Sequence, residues 1–259
     1  ASRNPAFAVG DKVVGMGGWQ EYAIVSADQR GVLQKVDTSR VPLSAYLGPV
    51  GMPGVTGWYG LTQIIEPKAG ETVVVSAASG AVGSVVGQLA KARGCRAVGI
   101  AGGPDKCGYV TGELGFDACI DYKAQRDLKS LAQALKAACP DGIDGYFENV
   151  GGVILDAVML RMNAFGRIAM CGMISGYNGV PIPMANPSLI LVSRLKLQGF
   201  IVSEHMARWP QALQELGQGV AGGRIRYRES IADGIASAPE AFLGLLEGRN
   251  FGKQLVKLA

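Results

Sequence analysis

A run of valines followed by a turn of small residues is the first stretch whose spacing indicates ligand chemistry. Residues 73–75 are all valine, an apolar run typical of a buried parallel strand. Residues 78–83 then read ASGAVG, so that Gly80 and Gly83 stand at the opening of a helical pattern. Because a helix begins with unpaired N–H groups and the positive end of its dipole, its N-terminus attracts phosphate. The stretch therefore predicts a phosphate-binding turn, although small residues at such a turn serve packing just as often.

The spacing of these residues is that of the dinucleotide fingerprint G-x-G-x-x-G, with one departure. Ala78 replaces the first glycine, which leaves A-x-G-x-x-G. Gly80 would let a pyrophosphate approach the backbone, and Gly83 would let the helix pack closely on the strand. The expected cofactor contacts in this turn are Gly80, Ala81, Val82 and Gly83. Alone, the pattern is a moderately weak indication of a dinucleotide.

The residues after the next predicted strand bear on which dinucleotide is bound. An NAD site would place an acidic residue at the end of that strand, where it binds the ribose hydroxyls. Residues 101–106 instead read AGGPDK, and Lys106 can reach a 2′-phosphate as a point charge. Asp105 would partly offset that positive field, and Lys106 could simply lie at an exposed helix start. The segment favours NADP over NAD.

Alternating strand and helix patterns from residue 71 onward would position these turns. The predicted strands cover residues 72–76, 97–101, 118–121, 145–148, 166–171 and 195–201. The predicted helices cover residues 81–93, 104–114, 127–138, 154–160 and 206–220. Strands joined by crossover helices predict an α/β fold with a doubly wound, six-stranded parallel Rossmann sheet.

Both ends of the chain differ in pattern from this sheet. Residues 11–25 contain two short β-rich runs around a Gly-Gly pair, which predicts a hairpin. The end of the chain reads as a strand, a helix and a closing strand, over residues 226–234, 239–247 and 253–258. We therefore expect two domains: a dinucleotide-binding domain of residues 51–223, inserted between parts 1–50 and 224–259 of a β-rich domain.

Composition and charge exclude several classes of protein. The 259 residues are 48% hydrophobic and 18% charged and include 38 glycines, which is typical of a globular α/β protein. No apolar run is long enough to span a membrane, and the scattered charges, with a net value of +4, give no indication of nucleic-acid binding. Five cysteines without a C-x-x-C pair indicate a reducing, cytoplasmic compartment. With a single histidine, His205, they also argue against a zinc site or a Ser-His-Asp triad.

Seven stretches in a fixed order resemble one family. They read GMPGVTGWYGL, AASGAVGSVVGQLAK, GIAGGPDKC, FENVGG, FGRIAMCGMISGYN, LQGFIV and LEGRNFGKQLV. Together they resemble the zinc-free medium-chain dehydrogenase/reductases of the branch with leukotriene hydroxydehydrogenase/prostaglandin reductase, plant alkenal double-bond reductases and bacterial curcumin reductase. The bacterial curcumin-reductase type is the most similar. The resemblance covers essentially the whole chain, but residues 1–28 match only the last part of the family's longer, GroES-like β-rich domain.

The resemblance implies NADPH-dependent reduction of the carbon–carbon double bond of an enone or enal. Hydride goes to the β-carbon and a proton to the α-carbon, without a metal. The cofactor contacts that it implies, beyond the glycine turn, are Lys106, Tyr122, Asn149, Cys171, Gly172, Tyr177, Phe200, Ile201, Val202 and Asn250. The substrate pocket that it implies includes Met52, Thr56 and Tyr59. Tyr177 is the expected catalytic residue, placed to bind the substrate oxygen or the nicotinamide ribose, or to relay a proton.

Each of these roles has a simpler alternative. Tyr177 could be a loop aromatic packed against neighbouring prolines, and Asn149 could be an ordinary turn residue. Cys171 is expected to contribute backbone contacts rather than a reactive thiol. Quinone reduction and a non-catalytic nucleotide-binding protein are the alternative functions. The family pattern also implies a homodimer joined edge to edge through residues 195–201, which would cover an exposed sheet edge.

Overall fold

The chain begins with a small antiparallel ribbon, in a computed structural model that describes residues 2–26 and 33–258. Strand β1 (Val13–Gly15) pairs with β2 (Leu33–Lys35). The predicted hairpin within residues 11–25 is therefore wrong, because the second run forms no strand. The apolar side chains of that run, such as Tyr22 and Ile24, are almost fully exposed and have no face to pack against. Residues 27 and 28, the last of the predicted match to the GroES-like domain, lie outside the described residues.

Six parallel strands form the central sheet, as predicted. They are β3 (Thr72–Ser76), β4 (Arg96–Ala101), β5 (Ala118–Asp121), β6 (Ile143–Glu148), β7 (Met162–Met170) and β8 (Lys196–Gly199). Their order across the sheet is β5-β4-β3-β6-β7-β8, and every neighbouring pair is parallel. The direction of winding reverses between β3 and β6. Ligands bind at the carboxyl ends of the strands at such a switch point.

Helices cover both faces of the sheet. They are α1 (Met52–Tyr59), α2 (Gly83–Ala92), α3 (Pro104–Gly112), α4 (Leu128–Ala138), α5 (Gly152–Met159), α6 (Ser188–Val192) and α7 (Trp209–Ala221). Val73 and Val75 belong to the core cluster on the side of α1, α2 and α7, whereas Val74 belongs to the cluster with α4 and α5. All three valines are fully buried, which explains why the strand is apolar on both faces. Helix α6 was not predicted; its run SLILV is apolar after the first residue and too short to show a helical period.

The end of the chain folds back beside the sheet. Strand β9 (Glu229–Asp233) pairs in parallel with β10 (Lys253–Lys257), and helix α8 (Ala238–Leu246) connects them. All three elements match the predicted strand, helix and strand. In the described residues, no helix combines the length and the apolar character that crossing a bilayer requires.

Candidate functional site

The glycine turn between β3 and α2 has the geometry of a phosphate-binding turn. A Cβ atom on Gly83 would lie 2.5 Å from the carbonyl oxygen of Ala77, so only glycine fits where the helix packs on the strand. A Cβ on Gly80 would lie 3.1 Å from the same oxygen. Among the described residues, the N–H group of Val82 has no backbone carbonyl as its acceptor. This donor at the helix start can bind a phosphate, and the turn therefore fits a dinucleotide.

The loop between α8 and β10 lies directly beside this turn. Gly80 and Gly252 form a parallel bridge, and the side-chain amide of Asn250 donates to the carbonyl of Gly252 over 2.8 Å. Gly252 has a φ of 69°, and a Cβ there would lie 2.0 Å from the carbonyl oxygen of Arg228, so no other residue fits. The β9–α8–β10 unit thus brings Asn250 to the start of α2, although the two are far apart in sequence.

Two lysines and a tyrosine surround the turn that follows β4. Lys106 is half-buried, and its ammonium donates to the carbonyl of Gly248 over 2.7 Å. A Cβ on Gly102 would lie 3.0 Å from Cε of Lys123 and 3.2 Å from the hydroxyl oxygen of Tyr122. Burial, and after it the charge of Lys123, lowers the pKa of Lys106, so the two lysines face a common space. This arrangement fits a bound anion such as a 2′-phosphate, which would offset the repulsion between them.

Asp121, at the end of β5, holds the backbone around this cluster. Its Oδ1 accepts from the N–H of Gly103 over 2.8 Å and from the N–H of Lys123 over 3.0 Å. The carboxylate thereby ties the turn after β4 to the turn after β5. These two hydrogen bonds partly neutralise the negative charge of Asp121. Sequence reasoning missed Lys123, because it lies in the polar run DYKAQRDLK, which has the pattern of an exposed surface.

A buried carboxylate links the ends of the two central strands. Glu148 is fully buried, and its Oε1 accepts from the Ser76 hydroxyl over 2.8 Å and from the Val150 N–H over 2.5 Å. Burial raises the pKa of Glu148. Its Oε2 has no partner among the described residues. Sequence reasoning also missed this residue, although an acidic residue inside the apolar strand IDGYFE is itself a signal.

Asn149 is bound into the same connection. Its backbone N–H donates to the Ser76 hydroxyl and its side-chain amide to the Ser76 carbonyl, each over 2.8 Å. Its own carbonyl accepts from the N–H of Ile174. Asn149 therefore has the structural role of a turn residue, and it lies at the switch point of the sheet.

The segment after β7 crosses the same edge of the sheet. The N–H groups of Cys171 and Gly172 both donate to the carbonyl of Glu148. Burial, with the nearby Glu148 charge, raises the pKa of Cys171 to about 12, so the thiol is neutral, as expected for a packed residue. Tyr177 is 62% exposed, and its hydroxyl accepts from the N–H of Met173 over 3.4 Å. Because that bond uses only a lone pair, the hydroxyl proton remains available to a ligand.

Aromatic rings connect α1 to the segment after β8. The ring of Tyr59 lies 5.5 Å from that of Phe200 and is stacked 4.2 Å from that of His205. A Cβ on Gly60 would lie 2.5 Å from the Phe147 ring and 3.0 Å from the Phe200 ring, so the close packing requires glycine. His205 is half-buried in this stack.

The remaining predicted residues range from buried to exposed. Ile201 is 61% exposed and Val202 is buried. The hydroxyl of Thr56 donates to the carbonyl of Met52 within α1, and the Met52 side chain is 58% exposed. Over residues 2–26 and 33–258, no three His, Cys, Asp or Glu side chains are placed to hold a metal ion.

Comparisons with known proteins agree with this arrangement. A family model described as zinc-binding dehydrogenase matches residues 81–218. The NADPH-dependent curcumin reductase of Escherichia coli is 44% identical over 100% of this chain and 75% of its own. The NADP(+)-dependent 2-alkenal reductase of Nicotiana tabacum is 46% identical over 100% of this chain and 74% of its own. A crystal structure of CurA with NADPH from Vibrio vulnificus superposes with a TM-score of 0.85 at 45% identity, covering 93% of this chain and 72% of that one.

These likenesses extend from the glycine turn through the segments that surround it, and they agree with the motifs found in the sequence. The chain therefore belongs to the medium-chain dehydrogenase/reductase family, in the prostaglandin reductase and alkenal reductase branch.

Proposed function

We propose that this protein reduces the carbon–carbon double bond of α,β-unsaturated ketones and aldehydes with NADPH. The observation behind the proposal is that the glycine turn, Lys106 and the Tyr177 segment follow β3, β4 and β7 at the same edge of the parallel sheet. The 46% identity to a 2-alkenal reductase over the full chain supports the same reaction. When bound, NADPH supplies the hydride that reduces the β-carbon.

The phosphates of the cofactor are held at two places in this proposal. The N–H groups of Ala81 and Val82, with Gly80 and Gly83 allowing close approach, bind the pyrophosphate. Lys106 and Tyr122 bind the 2′-phosphate, and Lys123 adds a second positive charge beside them. NADH has no 2′-phosphate, and so these side chains give a preference for NADPH.

Asn149 and the backbone of Cys171 and Gly172 would hold the nicotinamide half, since they follow the ends of β6 and β7 beside the switch point of the sheet. The residues that complete its surroundings are Phe200, Ile201, Val202 and Asn250. The hydrogen bonds from the Ser76 hydroxyl to Glu148 and from the Asn149 N–H to the Ser76 hydroxyl hold the backbone of Asn149 in place beside the proposed site.

Tyr177 is the proposed catalytic residue. After hydride transfer, negative charge develops on the carbonyl oxygen of the substrate, and a hydrogen bond from the Tyr177 hydroxyl would stabilise it. The same hydroxyl can relay the proton that the α-carbon requires. Met52, Thr56 and Tyr59 form the proposed substrate pocket, where the Tyr59–Phe200 contact joins α1 to the nicotinamide side.

A homodimer through β8 is also proposed. β8 is at the edge of the sheet, and no described strand pairs with its outer side. Large apolar side chains nearby are exposed, with Phe165 at 65%, Leu191 at 80% and Val192 at 65%. The N–H of Phe165 donates to the carbonyl of Ser193, which joins these residues into one patch. Pairing of two copies across this edge would bury the patch and provide hydrogen-bond partners for the backbone groups of β8.

The division into residues 51–223 and a β-rich domain of residues 1–50 and 224–259 is part of the same proposal. The small β1–β2 and β9–β10 pairs outside the main sheet support it. A cytoplasmic location is proposed because all five cysteines are free thiols.

The function is tested by measuring NADPH oxidation with a panel of enones, enals, quinones and alcohols. We expect turnover with enones and enals, and much slower turnover with NADH. Turnover with quinones alone would favour the quinone reductase alternative. No turnover despite tight NADPH binding would favour a non-catalytic nucleotide-binding protein.

A further inference from the structure

Two cysteines of the Rossmann sheet lie in direct contact. Cys119 in β5 and Cys107 in α3 have their sulfur atoms 3.1 Å apart, with the Cys119 thiol donating to Cys107. Both side chains are partly exposed, whereas Cys95 and Cys139 are buried. A small oxidant can therefore reach this pair, which has no role in the proposed reaction.

The pair joins the two elements that bear the proposed 2′-phosphate ligands. Cys107 directly follows Lys106 in the first turn of α3. Cys119 lies within β5, three residues before Tyr122, which directly follows this strand. Gly99 in β4 lets Cys119 pack closely against this strand, since a Cβ there would lie 3.3 Å from Sγ of Cys119. A change in the separation of the two sulfurs would therefore act on segments that carry Lys106 and Tyr122.

We propose that Cys107 and Cys119 form a reversible disulfide when the protein meets a hydroperoxide, and that the disulfide weakens NADPH binding. The thiols lose two protons and two electrons as the S–S bond forms. The O–O bond of the hydroperoxide breaks, and the products are one alcohol and one water. A thiol reductant reverses the step by thiol–disulfide exchange.

The bond requires a modest local movement. A disulfide has its sulfurs about 2.05 Å apart, so the pair must close by roughly 1 Å. That movement draws the first turn of α3 toward β5, and we expect it to displace the Lys106 ammonium from the proposed 2′-phosphate position. Loss of one charge-assisted phosphate contact corresponds to roughly a tenfold weaker NADPH affinity. This consequence rests on the proposed cofactor site, whereas formation of the bond does not.

The experiment treats the intact protein with graded hydrogen peroxide at mildly alkaline pH. Alkaline conditions are chosen because burial raises the pKa of both thiols and the thiolate is the reactive form. We expect a mass loss of two hydrogen atoms, one peptide cross-link between Cys107 and Cys119, and full reversal by dithiothreitol. Cys107→Ser removes the cross-link, and Cys139→Ala, which leaves the pair intact, retains it.

NADPH and NADH affinities are then measured by fluorescence on reduced and oxidised protein. We expect the NADPH dissociation constant to rise roughly tenfold on oxidation of the wild type and of Cys139→Ala, with little change for NADH. Oxygen addition to separate cysteines, or a cross-link to another cysteine, would overturn the proposed disulfide. A cross-link with unchanged NADPH affinity would overturn the coupling. Failure of the reduced protein to bind NADPH would instead contradict the proposed function, and the mass data would still decide the disulfide.

Discussion

Replacing Lys106 by alanine should remove most of the preference for NADPH. The side chain is half-buried and faces Lys123, and its ammonium makes one bond to the Gly248 carbonyl. Two of its three N–H donors therefore remain for a phosphate. A charge-assisted contact of this kind stabilises a complex by about 1.5–3 kcal/mol, so Lys106→Ala should weaken NADPH binding by roughly ten- to a hundredfold.

NADH affinity should change little, because NADH has no 2′-phosphate. The assay is a fluorescence titration of both cofactors with the wild type, Lys106→Ala and Lys129→Ala. Lys129 is an exposed lysine of α4 and serves as the matched control. Equal losses of affinity for NADPH and NADH in Lys106→Ala would refute the assignment, since they would indicate a general disturbance of the fold.

The pH dependence of binding provides a second test of the same reasoning. Burial and Lys123 lower the pKa of Lys106, so this lysine loses its charge at a lower pH than an ordinary lysine. NADPH affinity should therefore fall as the pH rises through the alkaline range. The fall should be absent in Lys106→Ala. A profile that is the same in both proteins would assign the titration to another group.

Three further predictions follow from the site. Tyr177→Phe should lower kcat by about 10²–10⁴-fold with NADPH affinity nearly unchanged if the hydroxyl is the proton donor; a loss below roughly tenfold in steady-state assays would point to water. Glu148→Ala should lower the free energy of unfolding, measured in urea, by about 2–4 kcal/mol, because it leaves the Ser76 hydroxyl and the Val150 N–H without an acceptor. Glu148→Gln should lower it by less than half of that amount. Dialysis against a chelator should leave enone reduction intact, because the described residues contain no cluster of metal ligands; activity lost on dialysis and restored by zinc would contradict this.

Glu148 also makes stability depend on pH in a direction that can be checked. Its pKa is raised in the folded state, so the folded protein binds the proton more tightly than the unfolded chain. The free energy of unfolding should therefore fall as the pH rises from the unfolded to the folded pKa of this group. The same profile of Glu148→Gln should lack that component.

The sheet was predictable from sequence because its signals are local. The consecutive valines of β3 are buried on both faces, and the glycines after them permit the one close approach that α2 makes to the strand. The order and spacing of the six predicted strands and their crossover helices then allow only a few sheet topologies. The Gly80–Gly83 turn and Lys106 could be predicted as candidates for the same reason, because each lies just beyond the end of a predicted strand.

What sequence reasoning missed depends on contacts between distant residues. Lys123 becomes a candidate only when Gly102 brings the turns after β4 and β5 together. His205 has no recognisable pattern, and only the fold stacks it on Tyr59. The hairpin expected within residues 11–25 was wrong because β1 takes its partner from residues 33–35. Local pattern does not specify such pairings.

The proposed reaction is tested most directly by the position of the transferred hydrogen. The protein is incubated with an enone and NADPH deuterated at C4 of the nicotinamide, and the product is examined by NMR. The account predicts a saturated ketone with deuterium on the β-carbon and a solvent-derived proton on the α-carbon. An allylic alcohol with deuterium on the carbonyl carbon would contradict it, because the hydride would then have reduced the C=O bond instead of the C=C bond.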